Sequence, residues 1–421
     1  MASLVSAVRK ALVIGGSMGG LFAATLLTRA GWDVQVFERI GEALAGRGAG
    51  IVTHDELFDV LRRAGATLDV SIGCETHSRV TLGADGRIIA EIPLQQTLTA
   101  WGRLYRLLKD VLPADRYHFN KSLVRVEQTT REITAHFADG SYETGDLLIG
   151  ADGIRSTVRA QLLPAAAPRY VGYLAWRGLA DESAVSDATR EALRDRMVFG
   201  LPPGEQMLTY LVAGRNNSTT EGERRFNFVW YRPADEQKDL PVLFTDADGR
   251  RHEQNIPPDR IRKEVVMDMH ATAARLLAPA FVDVIRATSD PLFQPIYDLE
   301  SPQLVFGRAV LMGDAAFVAR PHVGLGVTKA AGDAVTLVDA LLAHADDFAA
   351  ALRKYESQRL HFGRSIVAHA RALGLAIGAP LVAGPQAELI NYLRRPEVVM
   401  REIAVPDWAE RSVALGRLQV T

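Results

Sequence analysis

The chain holds a single cysteine, Cys74, among 421 residues. That excludes an intramolecular disulfide and any cysteine-rich metal site. Its ten histidines include no HExxH or comparable ligand spacing, so no metal is expected. Long apolar runs are also lacking. The nearest approach, residues 366–383, is interrupted by His369, Arg371 and Pro380, short of the roughly 18 apolar residues a membrane span needs. Residues 1–10 lack the basic start and apolar core of a secretory signal. A cytoplasmic, reducing environment is the expectation. Neither charge is in excess: 48 Lys and Arg stand against 50 Asp and Glu, a formal net of −2. A nucleic-acid binder shows a basic excess or stripe, so neither nucleic acid nor membrane is expected as a partner.

What is present is ordinary globular material, 48% hydrophobic and 23% charged, in enough length for two or three domains of roughly 150 residues each. Residues 11–15, ALVIG, form a short apolar run ending in glycine. Residues 21–30 have helical spacing of Leu and Ala and are closed by Gly31, and Val34, Val36 and Phe37 lead to Glu38. Strand, glycine turn, helix, strand is a βαβ unit. The middle differs. YVGYLAWRGLA (170–180), MLTYLVA (207–213) and FNFVWYR (226–232) are β-branched or aromatic runs of strand length. No helical crossover separates the last two, which predicts an antiparallel sheet. RAVLMGDAA (308–316) reads as a buried strand entering a loop, 327–345 as a helix, and the remainder as Ala/Leu/Arg-rich helices.

Three motifs carry chemistry. In GGSMGGL (15–21), Gly15 and Gly20 occupy the first and third places of G-x-G-x-x-G, and Ser17 replaces the second glycine. A dinucleotide pyrophosphate needs backbone N–H groups at a helix start and residues small enough to let the chain approach. Glu38, at the end of the second strand, suits the adenosine ribose. The second motif, DLLIGADGIRSTVR (146–159), delivers Asp152 and Gly153 at a strand end. The third, spanning 307–334, delivers Gly313 and Asp314, then a loop with Pro321, Gly324 and Gly326 that enters the long helix. Taken singly, the second and third motifs each read equally well as a capped turn.

Together, in this order and spacing, the motifs resemble the FAD-dependent aromatic hydroxylases, the class A flavoprotein monooxygenases, over residues 11 to about 345. The runs GAGIVTH (48–54) and YLAWRGL (173–179) are most similar to the branch acting on hydroxylated pyridines, the 2,6-dihydroxypyridine 3-monooxygenase branch. The resemblance implies an α/β architecture: a Rossmann-like FAD-binding domain (residues 1–75, 100–165 and 300–345), an interleaved antiparallel-sheet substrate domain (76–99 and 166–299), and a C-terminal helical segment (346–421). It implies one tightly bound FAD, with its pyrophosphate on Gly15, Gly16, Ser17, Met18, Gly19 and Gly20 and its ribose on Glu38 and Arg39. Arg47 matches an arginine that approaches the flavin, and Asp152 a position associated with FAD and the nicotinamide cofactor. Asp314 matches the aspartate that holds the ribityl chain. Pro321, Gly324, Leu325, Gly326 and Val327 match the loop lining the isoalloxazine.

The implied reaction reduces FAD with NADH or NADPH, a transient visitor, and uses O2 to place one oxygen atom on a small aromatic or heteroaromatic ring. The chain departs from the family at Phe317, where many relatives carry histidine. It departs again in TAWGRLYRLL (99–108), where Trp101 takes an arginine position with Arg103 and Arg106 nearby. Candidates for a hydrogen-bond relay or base at the substrate are His54, His322, Tyr210 and Tyr231; the histidines also read as solvent-facing or structurally bonded groups, and the tyrosines as core packing. Arg177 suits an anionic substrate or a surface ion pair. Alternatives are a flavoprotein of the same fold with other redox chemistry and a non-catalytic FAD-binding sensor. No W-x-W-x-I-P run of the flavin halogenases is present. The C-terminal helices suit either a cover over the nucleotide domain or a homodimer contact.

Overall fold

A computed structural model describes residues 8–42, 50–68, 72–253, 256–378 and 385–405. Every side chain from Ala11 to Ile14 is buried, the pattern of a parallel strand covered on both faces. This strand, Lys10–Ile14, lies between Leu147–Gly150 and Asp33–Phe37, parallel to both. Tyr117–His118 extends the sheet on one side. Ala309–Leu311 and Val305–Phe306 extend it on the other, making six strands.

The first helix runs Met18–Arg29 and starts three residues before its apolar spacing suggests, inside the glycine turn. Two glycines make this possible. Gly15 adopts φ +101°, where a Cβ would lie 2.5 Å from the Ala151 carbonyl oxygen, and a Cβ on Gly20 would overlap the Gly15 carbonyl oxygen.

The second sheet has nine strands. Arg169–Asp181, Arg225–Pro233 and Gln206–Val212 are neighbours in it and pair antiparallel, as the missing crossover predicts. Alternation splits their side chains between two cores. Phe226, Phe228 and Trp230 pack with Phe281 and Met269 from the helices Pro279–Arg286 and Lys263–Leu276. Leu208, Tyr210, Val229 and Tyr231 face the other way, toward the nucleotide-binding side.

Two features of the pairing were not legible in the sequence. Gly50–Val52, which sequence grouped with the nucleotide-binding unit, pairs with Leu98–Ala100 at the edge of the nine-stranded sheet. Residues 123–145 form a separate three-stranded antiparallel sheet.

The helices Gly326–Ala343 and Phe348–Gly374 pack together, tied by Arg359 Nε donating to Asp333 Oδ1 at 2.6 Å. After the helix Pro396–Glu402, Ile403 and Ala404 return to the cleft between the two sheets. The C-terminal segment therefore forms part of the cover that the sequence left open. Among the described residues no helix is long and apolar enough to cross a membrane.

Candidate active site

A cavity of ≈ 640 Å³ lies between the sheets, and all three motifs line it. That volume is in the range of small-molecule and cofactor sites. At one end is the N-terminus of the helix Met18–Arg29, with Gly15, Ser17, Met18, Gly19, Glu38 and Arg39 on the cavity wall. The first N–H groups of a helix have no partner within it, which gives this end the character of an anion site. Glu38 is buried and accepts from Gly16 N at 2.8 Å and Ile40 N at 2.9 Å. Its carboxylate keeps spare lone pairs for hydroxyl groups. Gly16 and Gly20 do not line the cavity. Gly16 is required instead by Tyr117, whose hydroxyl donates to the Gly16 carbonyl at 3.0 Å.

Asp152 follows the strand Leu147–Gly150 and lines the cavity. Its Oδ2 accepts from Thr157 N at 2.7 Å and Val158 N at 3.2 Å, while Oδ1 is buried and has no partner among the described residues. Burial raises its pKa above the usual carboxylate value. Arg159 ties the second motif to the third, donating to the carbonyls of Ile154 at 2.6 Å and Ala315 at 3.0 Å. Arg159 closes the second motif, and nothing in the motif itself gives it a role. Its link is visible only once the chain has folded.

Asp314 follows the strand Ala309–Leu311, with 54% of its side chain open toward the cavity. Protein on its other sides raises its pKa, and Lys329 partly offsets this. Pro321, His322, Gly324, Leu325, Gly326 and Val327 form the adjoining wall. Gly324 adopts φ +66°, where a Cβ would meet Ala404 at 2.6 Å. Added Cβ atoms on Gly153 and Gly326 would meet no protein atom within 4 Å. The open glycines, the unpartnered Asp152 oxygen and the exposed helix start fit an extended dinucleotide cofactor.

Arg177, Tyr210 and Tyr231 from the nine-stranded sheet, with His322, line another part of the cavity. His322 Nε2 lies 2.8 Å from the Tyr173 hydroxyl, and its ring centroid is 4.4 Å from that of Tyr231. Burial, then the neighbouring Arg320, push its pKa down to about 3, so it is neutral. Its Nδ1 is buried, with no hydrogen-bond partner among the described residues. Burial raises the Tyr210 and Tyr231 phenols, and Arg177 offsets part of that rise. Among the described residues no carboxylate pairs with Arg177, and its Nε is buried without a hydrogen bond.

Other expectations fall elsewhere. His54 does not line the cavity. It is buried with Nδ1 2.9 Å from Thr328 Oγ1, and burial lowers its pKa. Arg47 lies outside the described residues. Trp101 lines the cavity and stacks on Tyr105, whereas Arg106 turns away to Asn217. Phe317 fills the space left by Gly363 of the long helix, so the position serves packing. Cys74 is buried and its thiol is pushed up to about 11, the state of an inert core group. Ile403 and Ala404 were missed, because nothing in the local sequence signals a return to the cavity.

Comparison with known proteins agrees with this geometry. A family model described as FAD binding domain-like matches residues 170–298, which span the central strands of the nine-stranded sheet. The chain is 33% identical over 354 residues to 2,6-dihydroxypyridine 3-monooxygenase of Paenarthrobacter nicotinovorans, covering 84% of this chain and 87% of that protein. It superimposes on the structure of 2,6-dihydroxypyridine-3-hydroxylase from Arthrobacter nicotinovorans with a TM-score of 0.83 at 31% identity, covering 90% and 96% of the two chains. A Klebsiella pneumoniae HpxO structure complexed with FAD and uric acid matches with a TM-score of 0.73 at 25% identity, over 94% and 97%.

Proposed function

The chain belongs to the FAD-dependent aromatic monooxygenases, and from that premise we propose that it hydroxylates a hydroxypyridine with NADH or NADPH as electron donor. One atom of O2 enters the ring and the other leaves as water, with the two electrons coming from the nicotinamide. FAD, when bound, supplies hydride acceptance and oxygen activation.

The chain's residues divide the remaining work. The turn Gly15 to Gly20 takes the cofactor's pyrophosphate, and Glu38 with Arg39 takes the ribose. Asp152 and Asp314 accept from hydroxyl groups along the cofactor. Pro321 and the loop 324–327 hold its ring. The observation that carries the substrate reading is Arg177, a cation on the cavity wall beside Tyr231 that has no carboxylate partner among the described residues. A fixed cation beside a ring oxygen favours the deprotonated form, and a deprotonated hydroxypyridine is the more electron-rich acceptor of oxygen. Tyr210 and Tyr231, kept protonated by burial, serve as hydrogen-bond donors. His322, neutral and depressed to about 3, serves as a hydrogen-bond partner rather than a base. The closing residues Val323, Ile403 and Ala404 keep water from the ring.

The test is substrate-stimulated oxidation of NADH and of NADPH, with oxygen uptake matched to hydroxylated product and little peroxide. Stimulation by hydroxybenzoates and by no hydroxypyridine overturns the substrate reading. Arg177→Leu is expected to raise KM for the ring by about tenfold or more, the scale of one lost charge-assisted hydrogen bond, with FAD still bound.

A further inference from the structure

Behind Asp314 stands a buried lysine with no part in the chemistry above. Lys329, in the first turn of the helix Gly326–Ala343, has a side chain only 2% exposed. Its Nζ has no hydrogen-bond partner among the described residues and lies 4.0 Å from Asp314 Oδ1 and 3.8 Å from Asp333 Oδ2. An ammonium so placed is costly unless a nearby charge compensates it.

The two aspartates are not equivalent. Asp333 already accepts from Arg359 Nε at 2.6 Å and from Gly313 N at 2.8 Å. Asp314 receives no hydrogen bond from the described residues, and its open side faces the cavity. With Arg359 committed to Asp333, Lys329 is the counter-charge left for Asp314. The separation matters. A direct hydrogen bond would occupy one of the carboxylate's acceptor sites, whereas an ammonium 4.0 Å away stabilises the charge and leaves both oxygens free.

We infer that Lys329 is a positioning residue of the cofactor site: its ammonium keeps Asp314 ionised, so that both carboxylate oxygens accept from the hydroxyls of the cofactor's ribityl chain. The inference rests on the assignment of Asp314 to FAD made above. The other polar groups around the pair are Asp333, Arg359, Arg159 at the Ala315 carbonyl, and Tyr355, whose hydroxyl donates to the Leu311 carbonyl. Without Lys329, desolvation and the Asp333 charge both favour a protonated Asp314.

The test follows FAD release from the full-length holoenzyme after dilution, by flavin fluorescence, between about pH 8 and about pH 6. Wild type is expected to release FAD at a nearly constant rate. Lys329→Met and Lys329→Gln are expected to approach wild type at the alkaline end and to release FAD about tenfold faster at the acid end. Lys329→Arg keeps the cation and restores the flat profile. In an Asp314→Asn background, adding Lys329→Met changes the rate no further. A uniform acceleration at every pH in both neutral variants, or additive effects in the double variant, overturns the inference. An Asp314→Asn protein that holds FAD as tightly as wild type instead overturns the assignment of Asp314 itself.

Discussion

At the scale of single residues, the cavity wall around Tyr231 is built from groups held in one protonation state. His322 shows how. Between Tyr173 and Tyr231 its pKa falls to about 3, whereas in an unfolded chain it is about 6.5. The folded value is the lower one, so as pH falls the unfolded chain takes up the proton first. Stability from this residue is complete above about 6.5 and is lost as pH falls toward the folded value, by about 2 kcal/mol at about pH 5. His322→Gln is expected to flatten the fall of Tm between about pH 7 and about pH 5. Equal falls in the two proteins would assign that slope to other groups, such as His369, which burial lowers to about 4. The identity of His322 was readable from its place in the third motif. Its neutrality was not, because desolvation depends on what folds over it.

At the scale of elements, glycines and one buried arginine decide how segments meet. Gly20→Ala is expected to disrupt the turn before the first helix, since the new Cβ would overlap the Gly15 carbonyl oxygen. Overpacking of this kind costs about 1–3 kcal/mol, and FAD retention after gel filtration should fall with it. This glycine was legible because the motif's spacing states its steric reason. Arg79 was not. Fully buried on the strand Cys74–Leu82, it donates to the carbonyls of Met400 at 2.9 Å and Ala404 at 2.8 Å and to Gln96 Oε1 at 2.7 Å. Through these bonds it fixes the end of the helix Pro396–Glu402, and Ala404 N in turn donates to the His322 carbonyl at 2.8 Å. Arg79→Met leaves several buried carbonyls unsatisfied at about 1–3 kcal/mol each. The expected outcome is a lower denaturation midpoint and faster proteolytic nicking near residues 396–405. Met400 and Ala404 lie more than 300 residues away in sequence and leave no local trace.

At the scale of the whole molecule, the described residues form two cores, with the cavity set against one of them. Trp230 is fully buried in the core on the far face of the nine-stranded sheet, its Nε1 donating to Glu205 Oε2 at 2.8 Å. Trp230→Ala is expected to cost about 3–5 kcal/mol while leaving FAD retention intact in the folded fraction. Parallel loss of both would show that the two cores report to each other. The cavity couples to folding by mass action instead. FAD at about a hundredfold over its Kd should stabilise the protein by about 2.7 kcal/mol, read as a rise in Tm on adding FAD to cofactor-depleted protein.

The sequence by itself determined the parts whose causes are local: the βαβ start, the antiparallel run of three aromatic strands, and the three glycine-and-acid turns. Steric and hydrogen-bonding demands within a few residues dictate each of these. Only the tertiary structure decided that Gly50–Val52 joins the far sheet, that His54 is buried against Thr328 and does not line the cavity, that Phe317 serves packing, and that Ile403 and Ala404 line the cavity. It alone places Lys329 behind Asp314. Burial and through-space charge belong to the assembled fold, and a side chain acquires them from neighbours that the order of residues does not name.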